Sequence, residues 1–257
     1  MIMNKHLLYT LFTLLSLSFF SCTNEMTDSR SGIGSVSFSV TNNTEDVVIE
    51  TRSSLDIDSD DLFLNLTRGN ESLFTNKKYS ELEKSYSYAA GSDYKITAQN
   101  CTEAAAEEGW GQDRVYGEET FSIEANTSKT VTVECRLANS GISVSFSDYV
   151  KANFPDCELK LYAANDEGRT FIFTSKVYKR AYFNVDANEK RAIQYILRNG
   201  KEELHTSSLT LEPGHYYNLS VKVENESSLN PYLTIGISID GELVDEEELE
   251  EIINPYK

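Results

Sequence analysis

The sequence predicts an all-β protein of two tandem antiparallel β-sandwich domains with a few short helices. Three observations carry that prediction. Apolar and polar residues alternate with a period of two in twelve short segments between residues 35 and 239, the mark of strands with one buried face. Clusters of Gly, Pro, Asn and Asp fall between those segments, where turns belong. The opening and closing segments of each half also read as copies of one another.

The chain starts MIMNKH, with Lys5 its only firm charge, and then runs fourteen uncharged residues, LLYTLFTLLSLSFF, from Leu7 to Phe20. A helix needs roughly 20 apolar residues to span a bilayer, so this run is short for an anchor. A basic start, an apolar middle and the small residue Ser21 fit a secretory signal peptide over residues 1–21. Cys22 follows Ser21 directly and the sequence turns polar at once, an arrangement that resembles a bacterial lipobox. Lipidation at Cys22 would hold the chain to a membrane, since each buried methylene contributes about 0.8 kcal/mol and two or more acyl chains hold where one does not. Residues 22–32 then read as a lipidated tether, small and polar.

The predicted strands follow in order. In the first domain, residues 33–137, they are SVSFSV at 35–40, DLFLNL at 61–66, YKITA at 94–98, ETFSIE at 119–124 and TVTVEC at 130–135. In the second domain, residues 138–243, they are ISVSFS at 142–147, ELKLYA at 158–163, TFIFTS at 170–175, YFNV at 182–185, SLTLE at 208–212, NLSVKV at 218–223 and LTIGISI at 233–239. Turn chemistry sits at RGNE (68–71), NDEG (165–168), EPGH (212–215) and DG (240–241). Helical stretches are expected at 76–84, 101–108, 148–154 and 187–193. The last segment, 244–257, is an acidic tail in which Leu249 and Ile252 join Leu243 on one face of a short helix ended by Pro255.

SVSFS occurs at 35–39 and again at 143–147, and FSIEANTSKTVTVEC (121–135) matches LTLEPGHYYNLSVKV (209–223) as strand, turn, strand. Matching elements in matching order imply two related sandwiches of the immunoglobulin or transthyretin kind. One larger sandwich is the alternative. Gly91 and Gly214 are placed to take positive φ in a turn, with Tyr94 and Tyr217 starting a strand three residues later.

A formal net charge of −18, one unit more negative without Lys5, repels phosphate backbones and argues against nucleic-acid binding. Cys101, Cys135 and Cys157 show no zinc spacing. A bridge from Cys101 to Cys135 and three separate thiols are both compatible with the spacing. No cofactor is implied.

Asp56, Asp58 and Asp60 alternate as calcium ligands do, but Asp61 and Thr67 stand where an EF-type loop needs Gly and Glu. They are weak calcium candidates beside the reading of a solvated loop before a strand. His205 and His215 follow the signal, neither in a recognised catalytic spacing, and GxSxG and HExxH are missing. GWGQDRVYG (109–117) sets Trp110, Arg114 and Tyr116 between glycines. Such a loop either stacks on a sugar or anchors a partner, or it folds over a sandwich with Trp110 plugging its end.

Several stretches together resemble an exported lipoprotein family of gut Bacteroidales described as a domain of unknown function. They are SFFSC (18–22), DLFLNL with KKYSEL (77–82), AAGSDYKITAQ (89–99), EEGWGQDRVYGEETFSI (107–123) and VTVECRLANSGISVSFSDYV (131–150). PGHYYNLSV (213–221) is more distantly similar to fimbrillin-like pilus and adhesin proteins. The resemblance implies an outer-membrane lipoprotein, facing the cell surface, with β-sandwich domains, and it carries no catalytic residues.

The expected function is non-catalytic adhesion or recognition, of a glycan, a host surface or a fimbria-like assembly. Its partners are then the membrane, through the lipid at Cys22, and a glycan or a fimbrial or other surface protein. A surface or periplasmic hydrolase with a carboxylate site and a structural spacer are the alternatives.

Overall fold

The computed structural model describes residues 32–43, 57–185, 189–224, 232–240 and 242–252. Residues 1–21, read above as a signal peptide, lie outside the described residues, as do Cys22 and Asp56.

Seven strands make the first half: β1 (Ile33–Asn42), β2 (Phe63–Arg68), β3 (Glu71–Lys78), β4 (Tyr86–Ala89), β5 (Gly91–Gln99), β6 (Val115–Ile123) and β7 (Ser128–Leu137). Seven more make the second: β8 (Asn139–Phe146), β9 (Cys157–Ala163), β10 (Asp166–Thr174), β11 (Ala181–Asn184), β12 (Arg191–Asn199), β13 (Glu202–Leu211) and β14 (Tyr216–Glu224). Two further strands, β15 (Tyr232–Ile239) and β16 (Glu242–Ile252), extend the second half. Two short helices, α1 (Glu103–Ala106) and α2 (Asp148–Asn153), are each N-capped by a hydroxyl, Thr102 and Ser147.

The two halves pair strand for strand. The first has the orders β3-β2-β5-β6 and β7-β1-β4, joined where Val115 meets Leu137 and Tyr116 meets Arg136. The second has β10-β9-β12-β13 and β11-β8-β14, the latter continued by β15 and β16. Adding seven to each strand number of the first half gives the order of the second. Antiparallel pairing holds except in one equivalent pair per half, β1 with β7 and β8 with β14, which run parallel. Phe38 faces Val131 in the first of these pairs and Phe146 faces Val221 in the second. Against the sequence alignment this is a slip of two residues, which keeps every side chain on its face because the pleat repeats every two.

Two cores result. One holds Val36, Leu64, Leu66, Tyr94, Ile96 and Val133 with their neighbours, and the other Leu159, Leu161, Phe173, Tyr195, Leu219 and Ile235 with theirs. Leucines such as Leu64 and Leu161, at 0% exposure, contribute roughly 1.5–3 kcal/mol each by leaving water.

Tyr94 and Tyr217 are both 1% exposed, and each phenol bonds backbone five residues earlier. Tyr94 donates to the Ala89 carbonyl at 2.6 Å, while Tyr217 accepts from the Glu212 amide at 2.9 Å. This tyrosine-corner geometry pins the turn before each strand. Gly214 has φ +81°, as its turn requires, but Gly91 is not left-handed. It begins β5 beside the Arg68 guanidinium, which a Cβ would meet at 2.9 Å.

The helix expected at 76–84 is instead the end of β3 followed by a 3₁₀ turn, Tyr79–Glu81. The one expected at 187–193 gives way to β12, which starts at Arg191. The described part of the tail is a strand and not the expected helix: β16 (Glu242–Ile252) pairs antiparallel with β15 through a hairpin at Asp240, whose φ is +49°. Asp-Gly favours that turn, and the free edge of β15 supplies the hydrogen bonds.

Candidate functional site

The feature that most organises the molecule is the connection from β5 to β6, residues 100–114, here called the strap. Asn100 staples its ends: Oδ1 accepts from the Val115 amide and Nδ2 donates to the Asp113 carbonyl, both at 2.8 Å. After α1 the chain turns through Gly109 (φ +60°) and Gly111 (φ +83°). A Cβ at Gly111 would lie 2.5 Å from the Ala106 carbonyl oxygen and 2.8 Å from Tyr182 Cβ, so only glycine fits.

The strap belongs to the first half by sequence and lies against the second. Trp110 packs on the second core, its ring 5.1 Å from both Phe171 and Phe173. Its carbonyl accepts from the Tyr182 amide at 3.0 Å. Glu107 accepts from the Asn184 amide at 2.6 Å and pairs with Arg191 and Arg169. Arg169 in turn donates to the Tyr182 carbonyl at 2.7 Å. Asp113 receives two phenols, Tyr216 at 2.6 Å on Oδ1 and Tyr182 at 3.1 Å on Oδ2. Burial, followed by the Asp113 charge, pushes the Tyr182 phenol up to about 12 and raises Tyr216 as well. Both phenols therefore stay protonated and keep donating across the ordinary pH range.

Trp110, Arg114 and Tyr116 do not form one surface. Trp110 turns to the second core. Arg114 is 7% exposed, its guanidinium 3.2 Å from Glu103 and stacked 4.8 Å from the Tyr116 ring centroid. Tyr116 donates to Glu118 at 2.5 Å, and burial followed by that bond raises its phenol.

Asp58 caps the 3₁₀ turn Ser59–Asp61 by accepting from the Asp60 amide at 2.9 Å, and Asp61 pairs with Lys78 at 3.1 Å. Among the described residues no group of three or more His, Cys, Asp or Glu could hold a metal ion. Cys101, Cys135 and Cys157 are free thiols. His215 meets Asp240 at 2.6 Å, and Asp240 also accepts from the Tyr216 amide at 2.8 Å. This pair ties the start of β14 to the β15–β16 hairpin, and sequence spacing gave no hint of it. A polar cavity of about 340 Å³ opens beside the strap, lined by Asn165, Asp166, Asn184, Glu189, Lys190 and Arg191 among others. No described helix is long and apolar enough to cross a membrane.

A family described as Domain of unknown function (DUF4493) matches residues 32–255. The chain belongs to that family. This is the kind of family its motif order resembles. No curated protein matches this member of the DUF4493 family. Its fold is similar to that of the fimbrial anchor protein Mfa2 from Porphyromonas gingivalis, at 11% identity and a TM-score of 0.45, over 83% of this chain and 99% of that one. It is also similar to a protein from Bacteroides thetaiotaomicron provisionally named an adhesin, at 14% identity and a TM-score of 0.42, over 83% and 98% of the two chains. A further similar structure is a fimbrial assembly protein from Parabacteroides distasonis, at 9% identity and a TM-score of 0.38, over 82% and 100%.

Proposed function

We propose that this DUF4493 chain is a lipid-anchored outer-membrane protein that faces the cell surface and serves adhesion or recognition without catalysis. The observation that carries the reading is the abrupt change at Cys22, where an uncharged run ends and a short polar tether begins, with the first strand starting at Ile33. An anchored thiol followed so closely by folded sandwiches makes a display device: the lipid holds one end and the strand framework presents the rest. The sandwich domains, 33–137 and 138–243, are the displayed units, and the strap welds them so that they move as one. Glycans and fimbrial or other surface proteins are the partners such a device would meet. The role is of the kind borne in name by the fimbrial and adhesin proteins of similar fold.

Incorporation of labelled palmitate, with its loss in Cys22→Ala, tests the anchor; label that persists in Cys22→Ala refutes it. Protease added to intact cells tests the facing, and a chain left uncut while periplasmic release exposes it would place the protein on the inner side.

A further inference from the structure

The two sandwiches repeat strand for strand, and one corner sets them apart. Arg68, the last residue of β2, faces Tyr94 on β5, while Ala163, the last residue of β9, faces Ile193 on β12. Register therefore gives the second sandwich an alanine where the first has an arginine. In the first, the Arg68 guanidinium stands 5.4 Å from the Tyr94 ring centroid, bonds Asp93 at 3.3 Å and reaches the Ala90 carbonyl at 3.5 Å. Ala90 alone connects β4 to β5, and the corner is filled. In the second, the matching connection from β11 to β12 runs from Val185 to Lys190, and Ala163 leaves the corner open. The cavity of about 340 Å³ beside the strap is this corner.

Its walls are held in place from several sides. The ladder of β10 on β9 slips between Asp166 and Thr170, a bulge of the kind that re-aims side chains beside sites. The bulge bonds itself: Asp166 Oδ1 accepts from the Gly168 amide at 3.1 Å, and the Thr170 hydroxyl donates to the Glu167 carbonyl at 2.8 Å. Asn184 is fixed by the strap, its backbone amide donating to Glu107 and its Nδ2 to the Glu103 carbonyl at 2.8 Å. Asn184 Oδ1 is left buried without a partner, and an orphan acceptor of this kind is costly until something donates to it.

Charge and size select the ligand. Both cations on the wall are already taken by acids: Lys190 Nζ lies 2.5 Å from Glu212, and Arg191 pairs with Glu107. An anion would therefore find no unpaired cation there and would meet the carboxylates of Asp166 and Glu189. Asp166 also stands in the field of Arg169, which offsets its pull on an ammonium group. What the corner offers is acceptors at Asp166 and Asn184 and the carboxamide of Asn165, around the small apolar side chains of Ala163 and Val185. A pyranose carries hydroxyl donors around its ring and apolar C–H groups on its face, which is the matching chemistry. About 340 Å³ is at the small end of ligand pockets, enough for a single sugar ring and too little for a long segment. We infer that this corner binds one neutral sugar unit of a glycan, with Asp166, Asn165 and Asn184 taking its hydroxyls.

This site rests on the recognition reading and gives it a place and a ligand class. A sugar titration can fail while the palmitate and protease results stand, and the reverse holds too. The probes are the methyl glycosides of glucose, galactose, mannose and N-acetylglucosamine, titrated singly into the isotope-labelled full chain in a detergent without sugar head groups. Glucuronate and glucosamine serve as charged counterparts. Saturable NMR shifts at the side-chain amides of Asn165 and Asn184 are expected with at least one neutral glycoside. Asp166→Asn, which can still accept from the Gly168 amide, should weaken binding by about tenfold, as for the loss of a charge-assisted hydrogen bond. Ala163→Arg should abolish the shifts by filling the corner as Arg68 does, with the thermal midpoint as a check on folding. Where that variant does not fold, Asp166→Asn, on an exposed turn, decides the matter. No saturable shift with any neutral glycoside, shifts confined to other faces, tighter binding of glucuronate or glucosamine, or unchanged affinity in Asp166→Asn would each overturn the proposal.

Discussion

The phenol of Tyr216 donates a 2.6 Å hydrogen bond to Asp113, a residue 103 positions earlier in the chain. Tyr182 donates to the other oxygen of the same carboxylate, so one side chain of the strap holds β11 and β14 together. Asp113→Ala would leave two largely buried donors unpaired, at roughly 1–3 kcal/mol each. We expect calorimetry to show one unfolding transition in the unaltered chain, and that transition lowered and split in two in Asp113→Ala. Asp113→Asn keeps an oxygen for Tyr216 and should cost about half as much.

Trp110→Ala uncovers Phe171 and Phe173 and should cost roughly 2–4 kcal/mol, less than a fully buried tryptophan because the indole is partly exposed. Since Trp110 is the only tryptophan, its emission in the unaltered chain should shift red together with loss of the second core in urea. Gly111→Ala forces a Cβ against the Ala106 carbonyl at positive φ. It should release the indole and red-shift the emission even in the folded state.

The two corner tyrosines make a matched test. Tyr94→Phe removes a donor from the Ala89 carbonyl, and Tyr217→Phe removes the acceptor of the Glu212 amide. Each should cost about 1 kcal/mol, with Tyr217→Phe the costlier, because an orphaned amide is tolerated less than a carbonyl with a second lone pair. Denaturant unfolding of the single and double variants checks both the order and the additivity expected of distant sites.

Strands with one buried face were legible because burial writes the period of two into sequence; YKITA and TVTVEC are such cases, with Tyr94, Ile96 and Ala98 inward and Val131, Val133 and Cys135 inward. ESLFTNKK of β3 was not, because it is an edge strand with irregular register against β2 and an exposure pattern without strict alternation, its one aromatic, Phe74, only partly buried. β12 hid for another reason: Ile196 and Leu197 are both buried, which breaks the alternation, while the Asn199-Gly200 turn that announces its hairpin passes easily as a loop. The clamp at Asp113 could not be read at all, since its partners lie 69 and 103 residues away and nothing local distinguishes it from a solvated acid. Trp110 was legible as a large ring in a glycine loop, and only the three-dimensional pairing of the halves says which core it meets.

The thiols should report the same packing. Burial pushes Cys135 and Cys157 up to about 12, and the thiolate is the reactive form. At about pH 8, iodoacetamide should leave both untouched in the folded chain and label them only in denaturant. Cys101, partly exposed and raised less by burial, should label slowly without unfolding. Mass spectrometry of the digested chain distinguishes the three.

The last test uses alkali. Burial first and the Asp113 charge second raise the Tyr182 phenol to about 12, with Arg180 opposing, whereas an unfolded phenol titrates near 10. Between about pH 10 and 12 the unfolded chain releases that proton while the folded chain keeps it. The unfolded state then binds fewer protons, so stability falls as pH rises. The contribution is fully present below pH 10 or so and is lost by about 12. Tyr216, raised for the same reasons, adds to the slope. The unfolding midpoint should therefore decline steeply over this window, together with a cooperative rise in phenolate absorbance. Tyr182→Phe should be less stable at neutral pH, having lost a hydrogen bond to Asp113, yet show a shallower decline. A decline equally steep in Tyr182→Phe and Tyr216→Phe would mean that the clamp is not what alkali opens.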